Sequence, residues 1–587
     1  MMKRFLAVLA PLAMGACATV PATHPATSSD AKSSPGMVSA ADPRAAEAGA
    51  AMLRSGGNAT DAAIATMLAL SVVEPQSSGI GGGGFLVLDP EGDGDPTSYD
   101  GRETAPAAAG PDWFLDAQGQ PIGFRTAVES SLSVGVPGNI MLAAKAHADH
   151  GALPWESLFT PAIALAEQGF AVTPRLHASL RENRSTGGRT DASRALFYGA
   201  DGEPVPVGTL VRNAALGRFL RRLAAEGPQA FQTGENAVAI VRAVEGDMPA
   251  RAVPPAATNV PLIRMPTAMT TDDVAGYSAK ERPSPCGTYR VYLICGMGPP
   301  SSGATTVYAI VKQLERFDMA SHGPQDPVAW HLIAESMRLA YADRGRYLAD
   351  SDFVPVNVTA LMDGAYLRER GRLISPGSTM AKAEPGDIPL PVALGHSAPQ
   401  PEHGTSHFVT VDGKGGVASY TSTVEGAFGS GLMVNGYYLN NELTDFDFAP
   451  VDKAGRPVAN RVEGGKRPRS SMSPTIVYGP DGTMRLAIGA AGGATIIAQV
   501  AKAIVGVIDW GLTAQAAIDL PVIFAPGDTV WLERGTSLEA MAPALRALGH
   551  ADVRVREPGF KANAIERVGG QLRGAADHRS EGASASE

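Results

Sequence analysis

Cysteine is nearly missing: three residues in 587, at positions 17, 286 and 295. A small disulfide-stapled scaffold is therefore excluded. Charge is also sparse, at 18 % of residues, and its balance is acidic, with a formal net charge of −10. No basic stripe runs along the chain, which argues against a nucleic-acid partner. The 11 histidines are scattered, with no H-E-x-x-H pair, so neither metal nor cofactor is expected. There is no G-x-S-x-G nucleophile elbow. The stretch "GPPSSGATT" at 298–306 lacks the lysine a P-loop needs after its last glycine. Gly79 to Gly84 formally satisfies G-x-G-x-x-G, but a helix precedes it and a strand follows it. Dinucleotide binding requires the reverse order, so the glycines are read as close backbone packing. No internal repeat of solenoid length is present.

The chain is rich in what loops require, with 67 glycines and 45 prolines. Its N-terminus reads as a targeting signal: Lys3 and Arg4 precede "FLAVLAPLAMGA", which is too short for a mature membrane span. The "MGAC" ending at Cys17 resembles a bacterial lipoprotein signal, in which the cysteine is lipidated. Residues 1–17 are thus expected to be a signal and 18–36, Pro/Ser/Thr/Ala-rich, a flexible tether. The protein is expected in the periplasm or cell envelope, touching a membrane only through that anchor. Cys286 and Cys295 flank "GTYRVYLI", a short hairpin turning near Arg290. They are either a cross-hairpin disulfide or two buried thiols.

Two helices are predicted over 43–73, divided at "GGNATD", with Gly57 as C-cap, Asn58 as N-cap and Asp61 facing it. Further helices are expected near 137–169, from Asp326-Pro327 to about Leu348, and near 493–510. Strands dominate after 405: "HFVTVD", "VASYTSTV", "GYYLNN", "TIVYG" and "MRLAIGA". The polar tail after about 571 is expected to fray.

One cluster invites chemistry. "DGKGG" at 412–416 is a turn, and a loop of 413–415 places Thr405 opposite Thr423. Thr405 and His407 then share one face, as do Thr421, Thr423 and Glu425. A polar edge strand explains this equally well from the residues alone.

The segments "GTSHFVTVDGKGGVASYTSTVEGAFGSG", "LNNELTDF", "KRPRSSMSPTIV" and "GAAGGATII" resemble the small-subunit half of the gamma-glutamyltranspeptidase family. In the first half "DAAIATMLALSVVEPQSSGIGGGGFLVL", "DGRETAPAAA", "SVGVPGN" and "GPPSSG" are similar to it, in the same order. The resemblance implies an α+β fold, the four-layer αββα sandwich of N-terminal nucleophile hydrolases. It implies a precursor cut between Gly404 and Thr405 into a large subunit, 37–404, and a small one, 405–587, held as a heterodimer. Thr405 would be the nucleophile, its freed α-amine the base, with His407 the rival base. Thr423 would hold the nucleophile, and Gly492 and Gly493 would form the oxyanion hole. Arg102 would grip a donor α-carboxylate bidentately with help from Ser470 and Ser471. Glu425, Glu442 and Asp445 would face its ammonium. The implied substrate is a gamma-glutamyl donor such as glutathione, with water, an amino acid or a peptide as acceptor.

Two departures stand out. Glu425 replaces a common asparagine, and the lid segment, about 446–469, is short, with no aromatic from Ala449 to Arg469. A glutaryl- or cephalosporin-type acylase is the alternative within the family; a secreted binding lipoprotein without activity is the alternative outside it.

Overall fold

The hairpin that carries Thr405 forms where the turn chemistry puts it. Strand Ser406–Val411 pairs antiparallel with Val417–Thr423, His407 lying opposite Thr421. Asp412 N–H bonds to the Gly416 carbonyl at 3.0 Å, so the loop is 413–415 as expected. The computed structural model describes residues 35–246, 269–392, 394–395, 404–557 and 559–587. The expected signal, Cys17 and nearly all of the tether lie outside these residues.

The hairpin sits inside a seven-stranded antiparallel sheet, between Met37–Ala40 on one side and Gly83–Asp89 on the other. A six-stranded antiparallel sheet contains Thr475–Tyr478 and Met484–Ala491. The fold is therefore mixed α/β with antiparallel sheets. Strand alternation splits the hairpin's apolar residues between two cores. Phe408, Ala418 and Tyr420 pack with helices Pro43–Arg54 and Ala59–Val73. Val409, Val411 and Val417 pack with Ile476 and Ile488 of the second sheet and helices Gly303–Leu314, Pro327–Tyr347 and Thr495–Ile508. His407 shares the parity of Val409, and its ring lies on Gly489 of the second sheet, where an added Cβ would come within 2.4 Å of it.

The glycine run is packing, not phosphate binding. A Cβ on Gly82 would meet the Thr423 carbonyl at 1.9 Å, and one on Gly81 the Tyr438 carbonyl at 2.1 Å. The division of the first two helices is as predicted on its second side: Asn58 and Asp61 form a reciprocal capping box. On its first side the left-handed residue is Gly56, at φ 86°, rather than Gly57. Asp326 caps Pro327–Tyr347, as its Asp-Pro start implies. Cys286 and Cys295 stand opposite each other in the hairpin and are bonded, with Arg290 at φ 55° in the turn.

The tail corrects the expectation of fraying. Gln571–Ala576 pairs with Lys561–Val568, and Ala583–Ser586 closes the edge of Met37–Ala40. "ASAS" has the period of a strand, and the open backbone groups of Met37–Ala40 offer it a full ladder, which polarity alone does not reveal. Among the described residues no helix is long and apolar enough to cross a membrane.

Candidate active site

Thr405 stands at the mouth of the hairpin, at the end of a peptide link that only glycine can make. Gly404 has φ 65°, and a Cβ there would come within 2.3 Å of the Glu425 carbonyl. The Thr405 hydroxyl lies against the Gly404 carbonyl, the group it would attack in self-cleavage. It is 3.3 Å from the Thr423 hydroxyl, whose oxygen also accepts the Glu425 N–H at 2.8 Å. The hairpin register thus fixes the two threonines, as the spacing of 412–416 predicts.

His407 is a poor rival base. Its ring is fully buried, Nδ1 faces the Thr421 hydroxyl at 2.8 Å, and burial lowers its pKa to about 3. An imidazole that weakly basic accepts a proton reluctantly near neutrality. Ser406 is turned elsewhere, to Glu74 at 2.5 Å and Lys561 at 3.1 Å. Burial lowers Lys561 to about 8 against the pull of Glu74.

One cavity gathers residues distant in sequence: Arg102, Thr405, Thr423, Glu425, Glu442, Asp445, Ser470, Ser471 and Gly493 all line it, with Met472 and Ile496. Its volume is about 10 Å³ with the 404–405 bond intact, room for about one water. Gly492 is at φ 128° beside it, and helix Thr495–Ile508 begins two residues after Gly493. The partial positive charge of that helix start favours an oxyanion at this end.

Arg102 differs from expectation. Its Nη1 donates to Glu442 and its Nη2 to Asp445. Nε donates to the Pro468 carbonyl at 3.1 Å and Nη2 also to the Arg469 carbonyl at 3.2 Å. Of five N–H donors one remains, on Nη1, so a bidentate grip on a carboxylate is not available to this arrangement. The reason is tertiary: the short helix Glu442–Asp445 delivers both carboxylates to the same guanidinium. Burial disfavours the Arg102 charge, but Glu442 and Asp445 outweigh it and hold the pKa above normal. The two serines next to it are each fixed by one bond. Ser470 Oγ accepts from Met472 N–H at 3.1 Å, and Ser471 Oγ accepts from Arg344 Nη2 at 2.6 Å. An oxygen pinned as acceptor leaves its own O–H to donate outward.

Glu425 has a left-handed backbone, φ 72°, and its carboxylate accepts from Asn441. Glu103, which sequence reasoning missed, is fully buried beside Arg102 and Glu442. Burial, then the Glu442 charge, push its pKa well above the carboxylate range. Its only signal was adjacency to Arg102. Arg344 and Asn441 were also missed, since no spacing ties 344 to 471 or 441 to 425. The fold also gathers His331, Glu335 and His550, the one group of three metal-ligand types among the described residues. The two imidazoles bond to each other at 2.8 Å, and Glu335 is held by Arg338, Thr379 and the Met380 N–H. This is an internal hydrogen-bond network.

A family model described as Gamma-glutamyltranspeptidase matches residues 45–587. A glutathione hydrolase proenzyme of Bacillus subtilis strain 168 is 35% identical over 561 residues, covering 93% of this chain and 91% of its own. The solved cephalosporin acylase of Bacillus halodurans is 25% identical with a TM-score of 0.79, covering 94% of this chain and 96% of that one. The gamma-glutamyltranspeptidase of Helicobacter pylori is 32% identical with a TM-score of 0.54 over 59% of this chain and 93% of that one.

Proposed function

The chain belongs to the gamma-glutamyltranspeptidase family, and we infer that it is a gamma-glutamyl hydrolase/transferase acting through an ester on Thr405. The observation that carries this reading is the single cavity lined by nine of the residues expected from sequence. A four-layer αββα arrangement is the finer reading of its two sheets and flanking helices.

Maturation comes first. Thr405 Oγ attacks the Gly404 carbonyl carbon, the Gly404–Thr405 C–N bond breaks, and an ester joins Gly404 to the threonine oxygen. Water then hydrolyses the ester, leaving a Gly404 carboxylate, a free hydroxyl and a free α-amine. A cavity of about 10 Å³ cannot admit a glutamyl group, which supports a zymogen that opens only after this cut. The strands on either side of the cut interleave, Met37–Ala40 and Gly83–Asp89 flanking the hairpin, so the two pieces remain one body.

Catalysis then follows from the freed terminus. The α-amine, with a pKa of roughly 7.7 to 8, takes the hydroxyl proton. Oγ attacks the donor γ-carbonyl carbon, and the oxyanion meets backbone N–H groups at Gly492 and Gly493. The amine leaves with a proton, and water or a second amine releases the glutamyl ester. Ser470, Ser471 and the remaining Arg102 N–H would hold the α-carboxylate. Glu425, with Glu442 and Asp445, would hold the ammonium.

The acylase reading is favoured by the likeness to the cephalosporin acylase fold. A glutaryl group brings no ammonium. The carboxylates are not the wholly unpaired wall expected from sequence, because Arg102 holds two of them. Three carboxylates against one guanidinium still leave net negative charge facing the donor, which suits a glutamyl group better. Electrophoresis of the purified protein tests the first step: two chains, the smaller beginning at Thr405, and one chain for Thr405→Ala. An intact wild type would overturn the maturation scheme. Release of chromophore from a gamma-glutamyl anilide rather than a glutaryl one decides between the acyl groups.

A further inference from the structure

One buried charge cluster takes no part in the chemistry assigned to Thr405, yet it grips the residue that follows it. Lys561 Nζ lies 2.8 Å from Glu74 Oε2, and Arg175 Nε is 3.8 Å from Glu74 Oε1. The Ser406 hydroxyl donates to Glu74 at 2.5 Å and accepts from Lys561 at 3.1 Å, closing a triangle. Lys561 gives its third proton to the Ser77 hydroxyl at 3.3 Å. Glu74, Ser77, Ser406 and Lys561 are all buried. A buried ion pair adds little net stability over apolar side chains of similar volume. Stability alone is therefore a weak reason for this one.

The cluster joins the three backbones that carry the reacting groups. Ser406 follows the nucleophile. The Ser77 carbonyl accepts the Val424 N–H at 3.3 Å, and Val424 follows Thr423. Lys561 stands opposite Ala491 in the second sheet, and Ala491 precedes Gly492. The backbone ladders give out at the same place. That with Val417–Thr423 ends at Ser406 opposite Ser422, and that with Met37–Ala40 ends at Phe408. Thr405 is thus one residue beyond the first ladder and three beyond the second. Before the cut it is held from both sides, through Gly404 and Ser406; afterwards the chain holds it through Ser406 alone. A chain terminus frays unless something ties it down.

We propose that the Ser406–Glu74–Lys561 triangle is a positioning device for the processed enzyme. It ties down the new terminus so that the Thr405 α-amine and hydroxyl stay aligned with each other, with Thr423 and with Gly492. The inference rests on the reading of Thr405 as a nucleophile whose own amine is the base. Side chains alternate along the strand, so Ser406 faces away from the cavity that Thr405 lines and touches no substrate. Its effect is on geometry, where a misplacement of about 1 Å lowers turnover by up to about a hundredfold. In the precursor the Gly404 link supplies the same restraint, so self-cleavage needs the triangle less than turnover does. That difference separates positioning from plain structural support.

Ser406→Ala opens the triangle and leaves Glu74 and Lys561 paired, and its melting temperature shows whether it folds. It is expected to yield the same two chains, at a self-cleavage rate within about threefold of wild type. With the gamma-glutamyl anilide, the processed variant should show kcat lowered about tenfold and KM within about twofold. Ser406→Thr, which keeps the hydroxyl, should restore kcat to within about threefold. Should Ser406→Ala fail to fold, Glu74→Gln combined with Lys561→Gln, which leaves no lone buried charge, is held to the same split between cutting and turnover. Unchanged kcat in Ser406→Ala would overturn the device, as would a loss of cutting as large as the loss of turnover, or a loss that Ser406→Thr does not restore. A wild type that cuts itself but releases chromophore only from a glutaryl anilide would overturn the glutamyl reading alone, and the same comparison then runs on that donor. A wild type that stays one chain would overturn the maturation scheme, and this device with it.

Discussion

Arg102 shows how far a residue's role depends on who reaches it. The resemblance carried by "GRETAP" implied a cation for the donor carboxylate at this position. Only the fold revealed that Glu442 and Asp445 already occupy most of its fork. Arg102→Lys keeps the charge but supplies a point donor in place of the fork. One of the two carboxylates then loses a charged donor in a buried site. The KM for a gamma-glutamyl donor is expected to rise about tenfold to a hundredfold, with a lower melting temperature. An unchanged KM, measured by anilide release, would show that charge alone suffices. Glu103 belongs to the same scale: burial and the neighbouring Glu442 push its pKa well above the carboxylate range.

At the scale of elements, the hairpin is the part most legible beforehand. "DGKGG" determines its loop, the loop determines the register, and the register brings Thr405 to Thr423. What holds the hairpin against the second sheet was not legible. Gly489 lies in "MRLAIGA", an ordinary strand by composition, yet the His407 ring occupies the space where its side chain would be. Gly489→Ala is expected to destabilise the protein by about 1–3 kcal/mol through overpacking. Thermal unfolding measures this, and Gly489→Ala combined with His407→Ala should recover part of the loss. Equal melting temperatures for wild type and Gly489→Ala would mean the sheets can part without cost. The tail strand Ala583–Ser586 teaches the same lesson, since its partner Met37–Ala40 lies at the opposite end of the chain.

For the whole molecule, buried bases set the direction of pH dependence. His407 is depressed to about 3 by burial, against an ordinary value near 6.5. Between those values the unfolded chain binds a proton that the folded one does not. Stability is therefore full above pH 6.5 and falls as pH drops towards 3. Lys561, lowered to about 8 from 10.5, acts the same way at alkaline pH, so stability rises again between about 8 and 10.5. The melting temperature is expected to fall between pH 6.5 and 4, and less steeply in His407→Gln. A parallel fall in both proteins would assign the acid sensitivity to carboxylates instead.

The sequence by itself determined the local devices of this protein: the capping box at Asn58, the Asp-Pro start of the long helix and the glycines that let backbones touch. It also determined the hairpin loop and the glycine before Thr405. These are short-range matters of dihedral angle, capping and side-chain parity, encoded within a few residues. The tertiary structure alone decided which carboxylates close on Arg102, that the tail completes the seven-stranded sheet and that His407 is a buried neutral base. Each of these depends on contacts between residues tens to hundreds of positions apart, where charge balance and burial are set by packing, and no local spacing records it.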